Sequence, residues 1–502
     1  MIVNFAKINI DMKYIITLIT LNLILLNSNA QSIFEKKTND NFAYEINGEI
    51  AGLKDSSVIL GYYFEDNQYA KDTAIVNNGK FTFTGFEPLK GGMYFVLLSE
   101  SRIFDLIISE QFFSFSTKID DLQGSMKFKN SVENPPFYEY INFISNVSQS
   151  AQNIIQKIEA TSGKEQEEWK KKLENINNSV QDYQNSFIEK NINKFFAKVV
   201  KSTLQITPPP APDNLNENEK QMFQLEYYKE VFLNNMDFSD ERMIRTPQYI
   251  FYDKINQYLN KLTAQHPDSI NAAADVLVEK ARSNKEVFKY IVHHITSTYE
   301  QSKIMGMDAV FVHMVEKYYL TDQCYWVDST QLVKIADRAK KIAPNLIGEL
   351  AEEFVDFYGT PFMKDTIGNT YTLNQIKSKY TVLIFYGPTC GHCKKQIPKI
   401  KKEVDSLIDV GHDITTFAVA TEFDRKEWIK FINNQKTWEW INVSDIRHDE
   451  EGNPVASSDW RDKYDIHSTP VVYLLDEKKR IIGKRVSPKQ IGEIINNREK
   501  TK

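Results

Sequence analysis

Residues 381–398 read TVLIFYGPTCGHCKKQIP, and this stretch decides the fold of the C-terminal third. The run from Tyr380 to Tyr386 is continuously apolar, as a strand buried on both faces requires. Cys390 and Cys393 follow at once and open CKKQIPKIKKEVDSLI, a helical pattern that Pro398 either kinks or delays. At such a join the free backbone N–H groups and the positive helix end favour a thiolate on Cys390, while Cys393, one turn on, is in reach to resolve a mixed disulfide. His392 between them can place an imidazolium beside Cys390, which lowers its pKa and stabilises the reduced form.

Downstream, strand-like and helix-like segments alternate: DITTFAVAT, then FDRKEWIKFINNQ, WINVSD, SDWRDKYDI, the pair PVVYLLDE and RIIGKRV, and SPKQIGEIINNR. That order predicts a three-layer α/β domain over 361–502. HSTPVV puts Pro470 just before a strand, where a cis Thr469–Pro470 bond would hold the chain against the dithiol and leave the Thr469 backbone to pair with a peptide substrate.

Upstream the texture differs. From about Tyr44 to Lys129, short alternating runs broken by glycine and asparagine, with a turn at Asn77-Asn78-Gly79, predict antiparallel strands. After Pro135 the period changes to three and four, with Tyr140, Ile141, Ile144 and Val147 on one face. GKEQEEWKKKLEN is a solvated helix face, and TPPPAPDNLNENE cannot continue a helix. Helical faces resume at Tyr252, Ile255 and Leu259, at Phe288, Ile291, Val292 and Ile295, and at Phe311, Met314, Val315 and Tyr318. His293 and His294 are adjacent, hence poor co-ligands on a helix. The fold expected is multidomain: an N-terminal antiparallel β domain (31–131), a central α-helical domain (132–360) with a Pro-rich loop at 207–213, and the C-terminal α/β domain.

The chain has 502 residues, 25% of them charged, with a net charge of −6, so it lacks the basic footprint of a nucleic-acid binder. Lys7 and Lys13 precede an apolar run at 14–26, and Ser28 and Ala30 supply small residues for a cut, so residues 1–30 are expected to be a signal peptide. The run is shorter than the roughly 20 residues that span hydrocarbon, so no stable transmembrane anchor is expected after cleavage. Periplasm or cell envelope is the compartment implied. Three cysteines in 502 residues make no disulfide framework, so the CxxC pair needs a chemical explanation.

Residues 361–502 resemble a thioredoxin-fold domain of the TlpA/ResA type, often labelled AhpC/TSA-like. The likeness rests on the strand TVLIFYGPT, the motif CGHC, Pro398 five residues past the second cysteine, and STP before the last strands. The Gly-His dipeptide is the one found in protein disulfide isomerase. Residues 31–360 are similar in order and texture to the flanking regions of exported Bacteroidetes oxidoreductases. The resemblance implies thiol-disulfide exchange, reductive or isomerising, on client proteins with disulfides or thiols, with an envelope redox partner and no cofactor. It implies Cys390 as nucleophile, Cys393 as resolving thiol, His392 as tuning group, and Thr469 and Pro470 as the substrate loop. Two departures stand out: the buried aspartate of thioredoxin falls on Ile384, and the glutamate of ResA-type proteins falls on Gln396.

Other readings compete. Structural zinc needs four Cys or His ligands, and the remaining cysteine, Cys324, lies far off in TDQCYW. A peroxidase resembling the peroxiredoxins would carry threonine three residues before its cysteine, where this chain has Gly387. A purely structural CxxC staple closes too short a loop to stabilise much. An envelope binding or scaffold protein with a non-catalytic redox domain is the alternative from another class. Cys324 reads as a buried structural thiol, Lys394 and Lys395 as a solvated helix start, and His467 as an ordinary loop residue. The acidic loop with Asp449, Glu450 and Glu451 lacks calcium-loop spacing, so no metal is assigned.

Overall fold

The computed structural model describes residues 42–500 apart from 100–101, 357, 423, 446, 449–453 and 456–459. The expected signal peptide and the acidic loop residues 449–451 lie outside the described residues. The chain divides into two compact units, one of residues 1–262 with 280–287 and the other of 263–279 with 288–502. Helices of the 132–360 stretch therefore fall in both.

In the first unit the strands are β1 (Tyr44–Ala51), β2 (Ser57–Phe64), β3 (Asn67–Ile75), β4 (Lys80–Gly85), β5 (Gly92–Leu97), β6 (Ile103–Ile108), β7 (Phe112–Lys118) and β8 (Lys127–Lys129). They form two sheets, β4-β1-β7-β8 and β3-β2-β5-β6, that share one core. The alternation of YEINGEIA turns Tyr44, Ile46 and Ile50 inward, as period-two patterning demands. Asn78 and Gly79 both take positive φ, the geometry of a tight hairpin turn between β3 and β4. Pairing is antiparallel except between β1 and β7, which run parallel. The two strands are far apart in sequence, so no hairpin dictates their direction.

Four helices follow: α1 (Asn134–Ala160), α2 (Gly163–Lys190), α3 (Phe195–Thr203) and α4 (Glu217–Val231). The first two pack through Tyr140, Phe143, Tyr183 and Phe187. The Pro-rich stretch 207–213 is non-helical, and α4 starts past it with a capping box from Asn216 and Glu219. Next come α5 (Tyr252–Asn260), α6 (Pro267–Ala281), α7 (Lys285–Glu300), α8 (Asp308–Met314), which runs into a π turn at Val315–Tyr319, and α9 (Ser329–Ile342). Ile255, Leu259, Phe288, Ile291, Val292, Ile295, Phe311, Met314, Val315 and Tyr318 are buried as the spacing predicts, whereas Tyr252 is only half-buried.

The second unit holds a seven-stranded sheet in the order β10-β9-β13-β12-β11-β16-β17. Its strands are β9 (Met363–Lys364), β10 (Thr370–Tyr371), β11 (Tyr380–Tyr386), β12 (Ile414–Ala420), β13 (Ile441–Ser444), β16 (Val471–Leu475) and β17 (Ile481–Lys484); β14 (Arg447–His448) and β15 (Pro454–Val455) pair separately. β11, β12 and β13 run parallel, while β16 and β17 are antiparallel additions. The helices are α10 (Gly391–Asp409), α11 (Arg425–Gln435), α12 (Trp460–Lys463) and α13 (Pro488–Lys500). Val382, Ile384 and Tyr386 of β11 face α10, α11 and α13; Leu383 and Phe385 face Phe354, Trp460 and Tyr464 on the other side. This is the three-layer arrangement, with Pro398 inside α10. Residues 348–351 run beside β17, with Gly348 N–H to Ile481 O and Ile481 N–H to Glu349 O both at 2.8 Å, so the sheet edge is covered.

Candidate active site

β11 ends at Tyr386, and the next four residues turn the chain into α10. Gly387 and Pro388 are buried, and Cys390 N–H donates to Gly387 O at 3.1 Å, closing a β-turn with proline in its favoured second position. Cys390 then caps α10: its Sγ accepts the Cys393 N–H at 3.4 Å, and its carbonyl takes the Lys394 N–H at 3.1 Å. Both cysteines are free thiols; Cys390 is half-buried and Cys393 fully buried in the core beside Ile384 and Ile397.

Thr469–Pro470 is cis and brings the loop before β16 onto the dithiol. The Cys390 thiol reaches the Thr469 carbonyl oxygen at 3.5 Å. Partial burial opposes charge on Cys390, but hydrogen bonding with the Thr469 side chain and from the backbone N–H groups of Cys393 and His392 outweighs it, so its pKa lies below the ordinary thiol value. Burial acts the other way on Cys393 and pushes it up to about 12. Of the two thiols, Cys390 is the one whose pKa is lowered and Cys393 the one whose pKa is raised. His392 is exposed, and its backbone N–H is the group that bears on Cys390. Lys394 and Lys395 are exposed at the start of α10.

Neither position that carries a carboxylate in the families resembled does so here, and a polar network built on Tyr386 lies in the core that holds Cys393. Ile384 is fully buried and Gln396 half-buried. Tyr386 Oη accepts from Trp428 Nε1 at 2.9 Å and donates to Asn442 Oδ1 at 3.2 Å, and burial raises the Tyr386 pKa.

Two further groups at the site were not foreseen. Glu422 follows β12, and its carboxylate accepts from Thr389 N at 2.9 Å and from Thr389 Oγ1 at 3.0 Å. The signal for it was available: β11 and β12 are adjacent and parallel, with Tyr386 opposite Ala420, and groups beyond the carboxyl ends of such strands gather at one edge. Glu422 also explains Gly387, since a methyl there would overlap its carboxylate and stand 3.2 Å from Cys390 Cβ. A threonine, as in the peroxiredoxin pattern, would have to push the Glu422 carboxylate off its place beside Thr389. The second group is Asp465, almost fully buried, which accepts from Arg338 Nη1 at 2.8 Å and Arg485 Nη2 at 2.9 Å and lies 2.9 Å from His467 Nε2. It anchors the segment leading into the Thr469–Pro470 loop, and nothing in its local sequence marks it.

Cys324 is remote from the pair in sequence and buried; its Sγ donates to Tyr318 O at 3.4 Å, and burial pushes its pKa up to about 12. His294 is buried against Tyr290 while His293 is exposed, so the two point apart. Among the described residues no cluster of His, Cys, Asp or Glu has the geometry to hold a metal ion, and no helix is long and apolar enough to cross a membrane.

Comparison with known proteins gives three family matches along the chain. Residues 44–169 match a domain of unknown function, DUF4369, and residues 161–345 another, DUF5106. No curated relative matches the chain. Similar solved structures include a domain of a possible thiol-disulfide isomerase from Cytophaga hutchinsonii, 31% identical, covering 31% of this chain and 95% of that one, with a TM-score of 0.26. A thioredoxin-like protein from Bacteroides caccae is 19% identical over 58% of this chain and 98% of its own, with a TM-score of 0.40. The thioredoxin domain of a thiol-disulfide oxidoreductase from Bacteroides vulgatus is 24% identical, covering 31% and 96%, with a TM-score of 0.23. Residues 350–484, the part that carries the CxxC turn and all seven strands of the sheet, match the AhpC/TSA family model, so the C-terminal domain is of the AhpC/TSA, thioredoxin-like kind.

Proposed function

We propose that the protein exchanges thiols and disulfides on extracytoplasmic client proteins through the Cys390–Cys393 pair, in the reductase or isomerase direction. One observation carries the reading: two free thiols one helical turn apart, the outer at the helix N-terminus with its pKa lowered, the inner buried with its pKa raised. The Cys390 thiolate attacks a client disulfide, forming a mixed disulfide and releasing one client thiolate. Cys393 then attacks Cys390 Sγ, its proton passing to the released client sulfur. The second client sulfur leaves as thiolate, and two electrons have moved from enzyme to client; the reverse sequence oxidises a client dithiol. Burial of Cys393 beside Ile384 slows the second step, because no carboxylate stands at 384 or 396 to accept its proton. Thr469 and Pro470 present backbone for the client to pair with, and His392 tunes the Cys390 thiolate. The partners are disulfide- or thiol-bearing clients and an envelope redox protein, consistent with export by residues 1–30.

Insulin reduction with dithiothreitol tests the reading. The wild type accelerates turbidity and Cys390→Ser does not; equal rates for the two would sink it. Glutathione equilibration then fixes the poise, expected nearer the value of about −180 mV for protein disulfide isomerase than the value of about −270 mV for thioredoxin. A Cys393→Ser variant is expected to accumulate mixed disulfides through Cys390, and mass spectrometry of the adducts names the clients.

A further inference from the structure

The turn that delivers Cys390 to the helix end is held from outside. Gly387 to Cys390 is closed by one backbone bond, and in such a turn the N–H of the third residue has no partner within the turn itself. Here the third residue is Thr389, and both its N–H and its hydroxyl donate to one carboxylate, that of Glu422. The two oxygens divide the work: Oε2 takes the N–H and Oε1 the hydroxyl. Charge-assisted bonds of this kind are shorter and stronger than neutral ones and fix orientation as well as distance.

The support for Glu422 is itself anchored. Thr421 N–H donates to Tyr386 O at 2.9 Å, extending the β11–β12 ladder by one residue, and Arg461 Nη2 reaches Thr421 O at 3.2 Å. On the other side Gly387 leaves the carboxylate its place, as a Cβ there would stand 2.3 Å from Glu422 Oε1 and push the carboxylate aside. Glycine, threonine and glutamate, 33 residues apart at the extremes of the hydrogen bond, thus form one fitted set around the nucleophile's turn.

We propose that Glu422 is the positioning residue of the nucleophile: by accepting both hydrogen bonds of Thr389 it holds the Gly387–Cys390 turn so that Cys390 Sγ stays against the N–H groups of α10 and the Thr469 loop. Glu422 bonds to Thr389, not to either sulfur, and acts through the backbone. The inference rests on the exchange reading for its purpose, but its geometry does not depend on which client is used. Two signs separate positioning from a plain charge effect. Loss of positioning removes N–H donors from the thiolate and raises the Cys390 pKa; loss of a nearby negative charge alone lowers it.

The test is the pH profile of iodoacetamide alkylation of Cys390 in the full, reduced chain, with peptide mapping to assign the label. Glu422→Ala is expected to move the midpoint up by about one unit, a roughly tenfold lower thiolate fraction at a fixed pH below it. Glu422→Gln keeps an acceptor for the Thr389 N–H and a partner for its hydroxyl, so its profile returns to the wild-type position or below. An unchanged profile in Glu422→Ala, a downward shift in both variants, or a Gln variant displaced upward as far as the Ala variant each overturns the proposal. Should Glu422→Ala fail to fold, Thr389→Val removes the hydroxyl arm alone; a smaller upward shift supports the proposal and an unshifted midpoint overturns it. Alkylation needs no client, so a wild type inactive on insulin whose Cys390 still responds to Glu422 would count against exchange and not against the positioning role.

Discussion

Replacing Arg338 by alanine should loosen the Thr469–Pro470 loop without touching the dithiol. Arg338 lies on α9, and its bond to Asp465 joins residues 127 apart in the chain. The Asp465 side chain is 2% exposed and that of Arg338 36% exposed. A fully exposed pair contributes about 0–1 kcal/mol and a broken buried pair costs about 3–5 kcal/mol. Asp465 keeps Arg485 and His467 when Arg338 is lost, so the anion is not stranded, and the half-exposed guanidinium was partly screened from the start. About 1–2 kcal/mol is therefore expected, and it is local. Hydrogen exchange with mass spectrometry reads it directly: amides of Tyr464 and Ile466, bonded to Trp460 and Arg461, should exchange roughly 5–30 times faster, with β11 and β12 unaffected. Asp465→Asn should resemble Arg338→Ala, and the double variant should fall short of the sum by about 1 kcal/mol. Unchanged exchange over 464–475, or equal acceleration across the whole second unit, would refute the reasoning.

Four further outcomes are expected. In the reduced wild type, iodoacetamide should label Cys390 at pH values below the ordinary thiol range, while Cys393, held up to about 12, stays protected; faster labelling of Cys393 would reverse the assigned roles. His392→Ala keeps the backbone N–H that bears on Cys390 and so isolates the ring: if the imidazole tunes the thiolate, the Cys390 pKa rises and the reduction potential falls with the fold intact by circular dichroism, and an unchanged alkylation profile removes the ring from the tuning role. Tyr386→Phe strands the buried indole N–H of Trp428 and should cost about 1–3 kcal/mol, seen as a lower urea midpoint with unchanged m-value. The folded-state pKa of Cys324 is raised above 9.0, so its contribution to stability is fully present below that value and is lost as pH rises from about 9 towards about 12; Cys324→Val should lose less stability than the wild type between pH 9 and about 10.5 by chemical denaturation.

The sequence by itself determined whatever depends on neighbours along the chain. Buried-strand composition at 380–386, the two cysteines at the next turn and helical spacing beyond them sit within about one strand and two helical turns, so their order places Cys390 at a helix end and Cys393 inside it. The same holds for the alternating strands before residue 130 and the three- and four-residue spacing after Pro135, where periodicity alone reports which face is buried. Tertiary structure decided what depends on chain segments that meet late. Glu422 meets Thr389 because two parallel strands end at the same sheet edge, and Arg338 meets Asp465 because α9 packs in the unit that holds the sheet. It likewise turned β1 parallel to β7 and shared the central helices between two units. A polar side chain carries no periodic signature of its partner: a buried carboxylate is tolerated only where donors converge on it, and that convergence is a property of the assembled sheet and helices rather than of any short stretch of sequence.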